Sequence, residues 1–372
     1  MGKPAAWARA SALVLVTLLL TPAAAAGMGG SAGWVPADQG KRVDRKQNPQ
    51  AKPPAWRLVR QGKHGAGAQP VQRWFSDASP LNTPIAAGAD VDPSSAAMVK
   101  ALQADADTKR WSIGVKYYSV PIYYSDPGTK RYTVSLTASW RPRSALVDAP
   151  IPDDARPDPG SDGHMAVIDT KTGCFYEYFA ARRAGSGWQA SWANRGLMSG
   201  TGIQPKGYST RDAGFVNFAG LIRPQELKAG VIDHALVFST MYTAPGGVVA
   251  PATSGTGVAT APSGALPLPE GAHVQLDPRL DLDSLGLEPW QKTIARALQV
   301  YGMYLVDTGS LGLYAVNPLS FGANPYSDIW GDGNYAFMPT SLVSRLRVLK
   351  LGPRFNPHPA AEVLPSPCGD LR

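Results

Sequence analysis

Three things are scarce in this chain, and each scarcity closes off a class of protein. Charge is thin: Asp, Glu, Lys and Arg make up 17% of the 372 residues, below the ~25% usual for globular proteins. There are two cysteines, Cys174 and Cys368, with no CxxC pair and no local Cys/His cluster, so structural zinc has no ligand set to draw on. After residue 26 no apolar run approaches the ~20 residues of a membrane-spanning helix. Signature motifs are missing too. No G-x-G-x-x-G, Walker loop, H-E-x-x-H or G-x-S-x-G stands in the context its chemistry requires. Nucleotide-dependent and serine-hydrolase readings therefore lack support, and neither a cofactor nor a metal is expected.

What is abundant is punctuation. Gly 39 and Pro 34 make up about a fifth of the chain, against a usual ~12%, which predicts many short elements joined by turns. Residues 1–26 read as a secretory signal: Lys3 and Arg9, an apolar run from Ala12 to Leu20, and Ala24-Ala25-Ala26 as the small-residue cleavage site. The expectation is export, to the extracellular space or the periplasm. In that setting two cysteines pair, which predicts a Cys174–Cys368 bridge.

The formal net charge of +8 is unevenly placed. Lys3 and Arg9 belong to the leader. Residues 27–70 hold eight basic residues, from Lys41 to Lys63, against Asp38 and Asp44, which leaves residues 71–372 formally neutral. The basic segment 41–63 is a candidate contact for an anionic surface. A neutral body lacks the electrostatic footprint of a nucleic-acid binder. Residues 27–70 carry no apolar period and read as a flexible arm, so the expected folded domain is 71–372, with a Pro-rich tail.

Along that domain, Asp92-Pro-Ser-Ser95 predicts a helix over Ser94–Ala104. Alternating β-branched and aromatic residues predict strands from Trp111 to Tyr124 and over Tyr132–Ala138. Further strands are expected at 164–169, 174–180, 187–192, 214–219 and 233–240, with Thr170–Gly173 and Ala184–Gly187 as hairpin turns. Trp290, Ile294 and Leu298, spaced i, i+4, i+8, mark a helix over Glu288–Val300. Tyr301–Asp307 and Leu311–Val316 suggest a hairpin, and Val343–Leu351 a last strand. About ten strands, two or three short helices and no βα repeat predict an all-β fold, an antiparallel β-sandwich of jelly-roll or concanavalin-A-like type.

Chemistry-bearing residues concentrate between Asp162 and Phe238. Asp162-Gly-His164 stands where a long Pro/Asp loop enters a strand, so Asp162 can orient an imidazole suited to proton transfer; the same sequence also makes an ordinary Asx turn. Alternation puts Glu177 on one face with Phe175 and Phe179, where burial would raise its pKa. Asp169 reads as the cap of the Thr170–Gly173 turn. Trp188 and Trp192, four apart, would share a strand face ~13 Å apart and offer sugars a stacking platform, with Tyr176, Arg182 and Arg223 nearby to hold substrate; the same tryptophans can equally fill a core. Glu226 and His234 form a second acid/base candidate, or an Arg223–Glu226 ion pair fixing a bend. His273 alternates with apolar neighbours toward the same groove, while His64 and His358 lie in the arm and tail. His164, His234 and Asp169 would be the donors of a metal site, but no local ligand spacing supports one.

Ser79–Ile85, Asp162-Gly-His-Met165, Gly220–Glu226, Asp233–Leu236 and Ala297–Met303 together resemble motifs of a group of secreted bacterial proteins of uncharacterised activity, over most of residues 74–352. That resemblance transfers no role to any residue. At the level of fold the inferred sandwich is similar to the concanavalin-A-like glucanases and alginate lyases, although neither a Glu-x-Asp-x-x-Glu nor the Arg-x-Glu-Leu-Arg and Gln-Ile-His pair is present. The reading is an exported enzyme acting on an extracellular polysaccharide by hydrolysis. Asp162, Glu177 and Glu226 supply the carboxylates, and His164 and His234 transfer or orient protons. The alternatives are β-elimination on a uronic-acid polymer and a non-catalytic carbohydrate-binding module.

Overall fold

The computed structural model describes residues 73–139, 145–257, 260–357 and 367–369, all within one compact unit spanning Trp56–Arg372. The leader, the basic arm, His64 and His358 lie outside the described residues. Within them no helix is long and apolar enough to cross a membrane.

Strands dominate. In chain order the elements are α1 (Ser95–Lys109), β1 (Trp111–Gly114), β2 (Ile122–Ser125), β3 (Arg131–Leu136), β4 (Ala145–Pro150), β5 (Met165–Asp169), β6 (Cys174–Phe179), β7 (Arg182–Ala184), β8 (Gly187–Ala190) and β9 (Trp192–Leu197). There follow α2 (Pro224–Ala229), β10 (Leu236–Thr240), β11 (His273–Leu276), α3 (Pro289–Val300), β12 (Met303–Thr308), β13 (Gly312–Tyr314), α4 (Ser327–Trp330), β14 (Tyr335–Met338) and β15 (Leu346–Val348). They form one seven-stranded sheet, β14-β1-β13-β10-β12-β11-β15, and two four-stranded sheets, β2-β5-β6-β9 and β4-β3-β8-β7.

The sheets are mixed, where the sequence had suggested antiparallel ones. β1 runs parallel to β13, β10 to β12, β2 to β5 and β3 to β8. The expected hairpin between the strands flanking Thr308–Ser310 is not formed, because β10 lies between β12 and β13 and pairs with both. Residues 214–219 form no strand beyond an isolated bridge from Phe215 to Ile203. Part of the expected last strand, Thr340–Arg345, is instead a short 3-10 helix before β15.

Period-two alternation sorts the side chains into layers. On the β2-β5-β6-β9 sheet, Met165, Val167, Tyr176 and Tyr178 pack with Val134, Leu146 and Trp188 of the β4-β3-β8-β7 sheet. The opposite face, with Ala166, Ile168 and Phe175, packs with Val237, Tyr304 and Val306 of the seven-stranded sheet. That sheet turns Leu236, Phe238, Met303 and Leu305 the other way, onto Leu102 of α1 and Ile294 and Leu298 of α3. The order is helices, large sheet, middle sheet, outer sheet. This explains why β5 and β10 are buried along their whole length.

Local chemistry accounts for the helix ends. Asp92 accepts the Ser94 N–H at 2.8 Å ahead of α1. Pro289 opens α3, and Gln291 reaches back to accept the Glu288 N–H at 3.1 Å.

Cys174 at the start of β6 is bonded to Cys368, 194 positions away. The bridge joins the C-terminal segment to the packed face between the middle and outer sheets. Closing so long a loop restricts the unfolded chain, with a ceiling of about 5 kcal/mol in the loop-entropy account. The Cys174→Ser, Cys368→Ser double variant is therefore expected to melt well below the parent in thermal denaturation without reductant, and reductant is expected to lower the parent's Tm toward the variant's.

Candidate functional site

The middle sheet brings three chain segments to one edge. β5 and β6 are antiparallel with Met165 opposite Tyr178, and β6 and β9 are antiparallel with Phe179 opposite Trp192. The entry to β5, the end of β6 and the start of β9 therefore lie together. The end of β12, carrying Asp307 and Thr308, and the loop Gly207–Gly214 complete a cavity of about 340 Å³. Its wall includes Asp162, His164, Phe179, Trp192, Arg211, Asp212 and Asp307.

Asp162-Gly-His164 is held rigidly. Ala180 N–H donates to Asp162 O at 2.7 Å and Ala181 N–H to Gly163 O at 3.0 Å. Gly163 has φ +46°, and a Cβ there would sit 3.1 Å from Ala180 Cα, so this turn requires glycine. His164 Nδ1 lies 3.2 Å from Tyr178 O. A carbonyl only accepts, so Nδ1 carries the hydrogen and Nε2 keeps its lone pair. Burial, reinforced by the Arg211 charge, brings the His164 pKa down to about 4. At neutral pH the imidazole is an uncharged base.

The loop bearing Arg211 and Asp212 is fixed from below. Thr210 Oγ1 donates to Glu177 Oε2 at 3.1 Å and Asn217 N–H to the same oxygen at 2.8 Å. Ser209 Oγ accepts the Arg211 N–H at 2.9 Å, and Ala213 N–H donates to Val306 O on β12 at 3.2 Å. Asp212 Oδ2 accepts from both the N–H and the hydroxyl of Thr256. The Arg211 guanidinium lies 4.9 Å from the Tyr314 ring centroid, with Nε and Nη1 unmatched by any acceptor.

Asp307 is pushed up to about 7, first by burial and then by the charges of Asp212 and Asp162, against the opposing pull of Arg211. Behind this wall Glu270 lines a second cavity of about 200 Å³. Its carboxyl is pushed up to about 9 by burial and by Asp212 and Asp307.

Of the residues expected from sequence, the structure brings Asp162, His164 and Trp192 to this cavity; the others are placed elsewhere. Glu177 is fully buried beneath the cavity floor and reaches it only through Thr210. Glu226 lies in a separate buried cluster. Arg223 donates to Glu226 Oε1, His234 Nε2 lies 2.9 Å from the same oxygen, and Glu226 Oε2 accepts the Arg223 N–H at 2.9 Å. Burial pushes the Glu226 carboxyl up, but Arg223 and His234 outweigh it and hold it at about 2. Trp188 and Trp192 do not share a strand face. The chain changes sheets at Ser191, so Trp188 lies on β8 and Trp192 on β9; both are buried in the packed layer between middle and outer sheets, and Trp192 also borders the cavity. Tyr176 is buried in that same layer with its hydroxyl 3.4 Å from Arg131 Nη2, and Arg182 is an exposed partner of Gln189 on the outer sheet. Asp169 caps its turn, accepting from Lys171 and Thr172 N–H at 3.0 and 3.2 Å. His273 stacks on Tyr304 at 4.1 Å and bonds Tyr301 O, away from the cavity wall.

Arg211, Asp212 and Asp307 escaped the sequence reading. Ser209-Thr-Arg-Asp212 is a polar run inside a loop, and Asp307 follows the apolar start of β12, so only that local polarity hinted at them. Among the described residues no cluster of His, Cys, Asp and Glu has the arrangement of a metal site.

Two stability effects follow. Glu177 is pushed up to about 7 by burial, against hydrogen bonds from Asn217 and Thr210, and its ordinary value is 4.5. The folded chain keeps a proton that the unfolded chain loses, so the Glu177 contribution is full below pH 4.5 and is lost as pH rises toward 7, on the order of 3 kcal/mol. Glu177→Gln is expected to gain on the parent in Tm between pH 5 and pH 8; parallel Tm–pH curves would refute this. Glu226→Gln removes the carboxylate that faces the buried Arg223 guanidinium, with an expected loss of about 3 kcal/mol or more by denaturant titration.

Comparison with family models, curated proteins and solved structures found no match for this chain.

Proposed function

We propose that this protein is an exported enzyme that hydrolyses an extracellular polysaccharide in the cavity bounded by Asp162, His164, Arg211, Asp212 and Asp307. One observation carries the reading: three carboxyl groups from separate segments converge on one polar cavity, and one of them, Asp307, holds its proton up to about pH 7. Glycoside hydrolysis needs one carboxylic acid to protonate the leaving oxygen. It also needs a second carboxylate that either attacks the anomeric carbon or activates water, ~5–10 Å away. Asp307 is the acid in this reading, and Asp162 or Asp212 the second group. Phe179 and Trp192 form the apolar side of the cavity, against which a sugar ring packs. Glu177 supports the loop of Thr210 to Asp212, while Glu226 and His234 serve stability.

The elimination reading draws on a different observation. His164 is uncharged with its Nε2 lone pair intact, the protonation state that a base abstracting a carbon-bound proton must have. The two chemistries leave different products: hydrolysis yields new reducing ends alone, and elimination also yields an unsaturated, ultraviolet-absorbing end.

The test is a screen of the purified protein on neutral and acidic polysaccharides, following both signals. Asp307→Asn is expected to lower hydrolysis by about 10²–10⁴-fold, the range for loss of a general acid, with the fold unchanged by circular dichroism. The alkaline limb of the parent's rate–pH profile is expected near pH 7. Full activity in Asp307→Asn would overturn the assignment of the acid. Absence of both signals across the panel, with binding retained, would make the protein a carbohydrate-binding module.

A further inference from the structure

Arg211 is a buried cation without the partners that buried cations normally have. It is 5% exposed, yet its Nε and Nη1 find no acceptor, and no carboxylate lies within ion-pair distance of it among the described residues. Arg223 provides the contrast within the same molecule. It is as deeply buried, at 7%, and is tied to Glu226 by both its guanidinium and its backbone N–H. A guanidinium with no ion-pair partner in a low-dielectric site is costly, and a carboxylate at its accessible end supplies the missing counter-charge.

The groups nearest in charge to Arg211 do not relieve it. Asp307 and Glu177 both feel its field, and burial holds each of them up near 7, so neither is a full counter-charge at neutral pH. His164 is uncharged. Asp212 turns Oδ2 to the Thr256 N–H and hydroxyl, and among the described residues it makes no ion pair with Arg211. The guanidinium is kept in place by the Tyr314 ring and by the Ser209 hydroxyl on its own backbone N–H, and it lines the cavity.

We infer that Arg211 anchors the carboxylate of an acidic sugar, so that the substrate of this cavity is a uronic-acid-containing polysaccharide. This rests on the proposed carbohydrate-cleaving function and names its substrate class. Asp162 and Asp212 share the cavity, which limits the occupant to a single negative charge set against Arg211. Uronate therefore fits, and sugars carrying several sulfate or phosphate groups do not.

The test is isothermal titration of the intact protein with di- to tetrasaccharides of galacturonate, glucuronate and mannuronate. Each is paired with its neutral sugar counterpart and with its own methyl ester. At least one acid series is expected to bind about tenfold or more tightly than both its ester and its neutral counterpart, the difference a charge-assisted hydrogen bond makes. Arg211→Gln is expected to abolish that preference, and Arg211→Lys to restore part of it. The ester comparison changes the ligand alone, so it decides the matter even where an Arg211 variant fails to fold. Equal binding of acid and ester in all three series would overturn the inference. Cleavage confined to neutral polysaccharides would overturn it while leaving the enzyme reading intact. Charge-selective binding without cleavage of any polysaccharide would leave it standing and remove the enzyme reading.

Discussion

The cavity depends on one buried carboxyl group. Glu177, on the middle strand pair, accepts from the Thr210 hydroxyl and the Asn217 N–H and so ties the loop between them to the sheet. Asn217 extends the tie: its side-chain amide reaches the carbonyls of Met165 and Tyr178 at 3.3 and 3.4 Å. Tyr178 O also holds the His164 ring. A single hydrogen-bonded hub thus positions the imidazole from one side and the Arg211–Asp212 loop from the other. Among the described residues Glu177 Oε1 and Asn217 Oδ1 remain without partners, so the hub holds the site through the bonds of Glu177 Oε2 and the Asn217 amide N–H group.

Two clusters of charge show how differently burial can be handled. In the Arg223–Glu226–His234 cluster, opposite charges and hydrogen bonds overcome burial and keep the carboxylate ionised. Around Arg211 the balance goes the other way. Burial prevails over the attraction of the guanidinium, and Asp307 stays near its midpoint at neutral pH. Perturbed groups collected in a cavity are a mark of functional sites, whereas a closed ion cluster is a structural device. Both clusters contain an arginine, carboxyl and histidine groups, and only their compensation separates them.

The layered fold explains where the cavity can form. The middle sheet is covered on both faces, so its strands offer little polar surface along their length. Polar chemistry is left to the strand ends and the loops between layers. Asp162 and His164 lie at the entry to β5, Phe179 at the end of β6 pairs with Trp192 at the start of β9, and Asp307 is next to last in β12 on the neighbouring sheet. The disulfide, by contrast, sits at the start of β6 and joins the C-terminal segment to the outer packing layer.

Much of the local structure was legible in the chain itself. The Thr170–Gly173 turn with its Asp169 cap, helix α3 and its apolar stripe, the pairing of Cys174 with Cys368, and the placing of Asp162-Gly-His164 at a strand entrance all follow from residues within a few positions or from cysteine count. What the sequence could not decide was which distant groups meet. Alternation is the same in parallel and antiparallel strands, so β10 between β12 and β13 had no local signature. Trp188 and Trp192 fell on different sheets because the chain turns at Ser191. The roles of Glu177, Glu226 and Arg211 are separated by burial and by partners far along the chain, and those are properties of the packed layers alone.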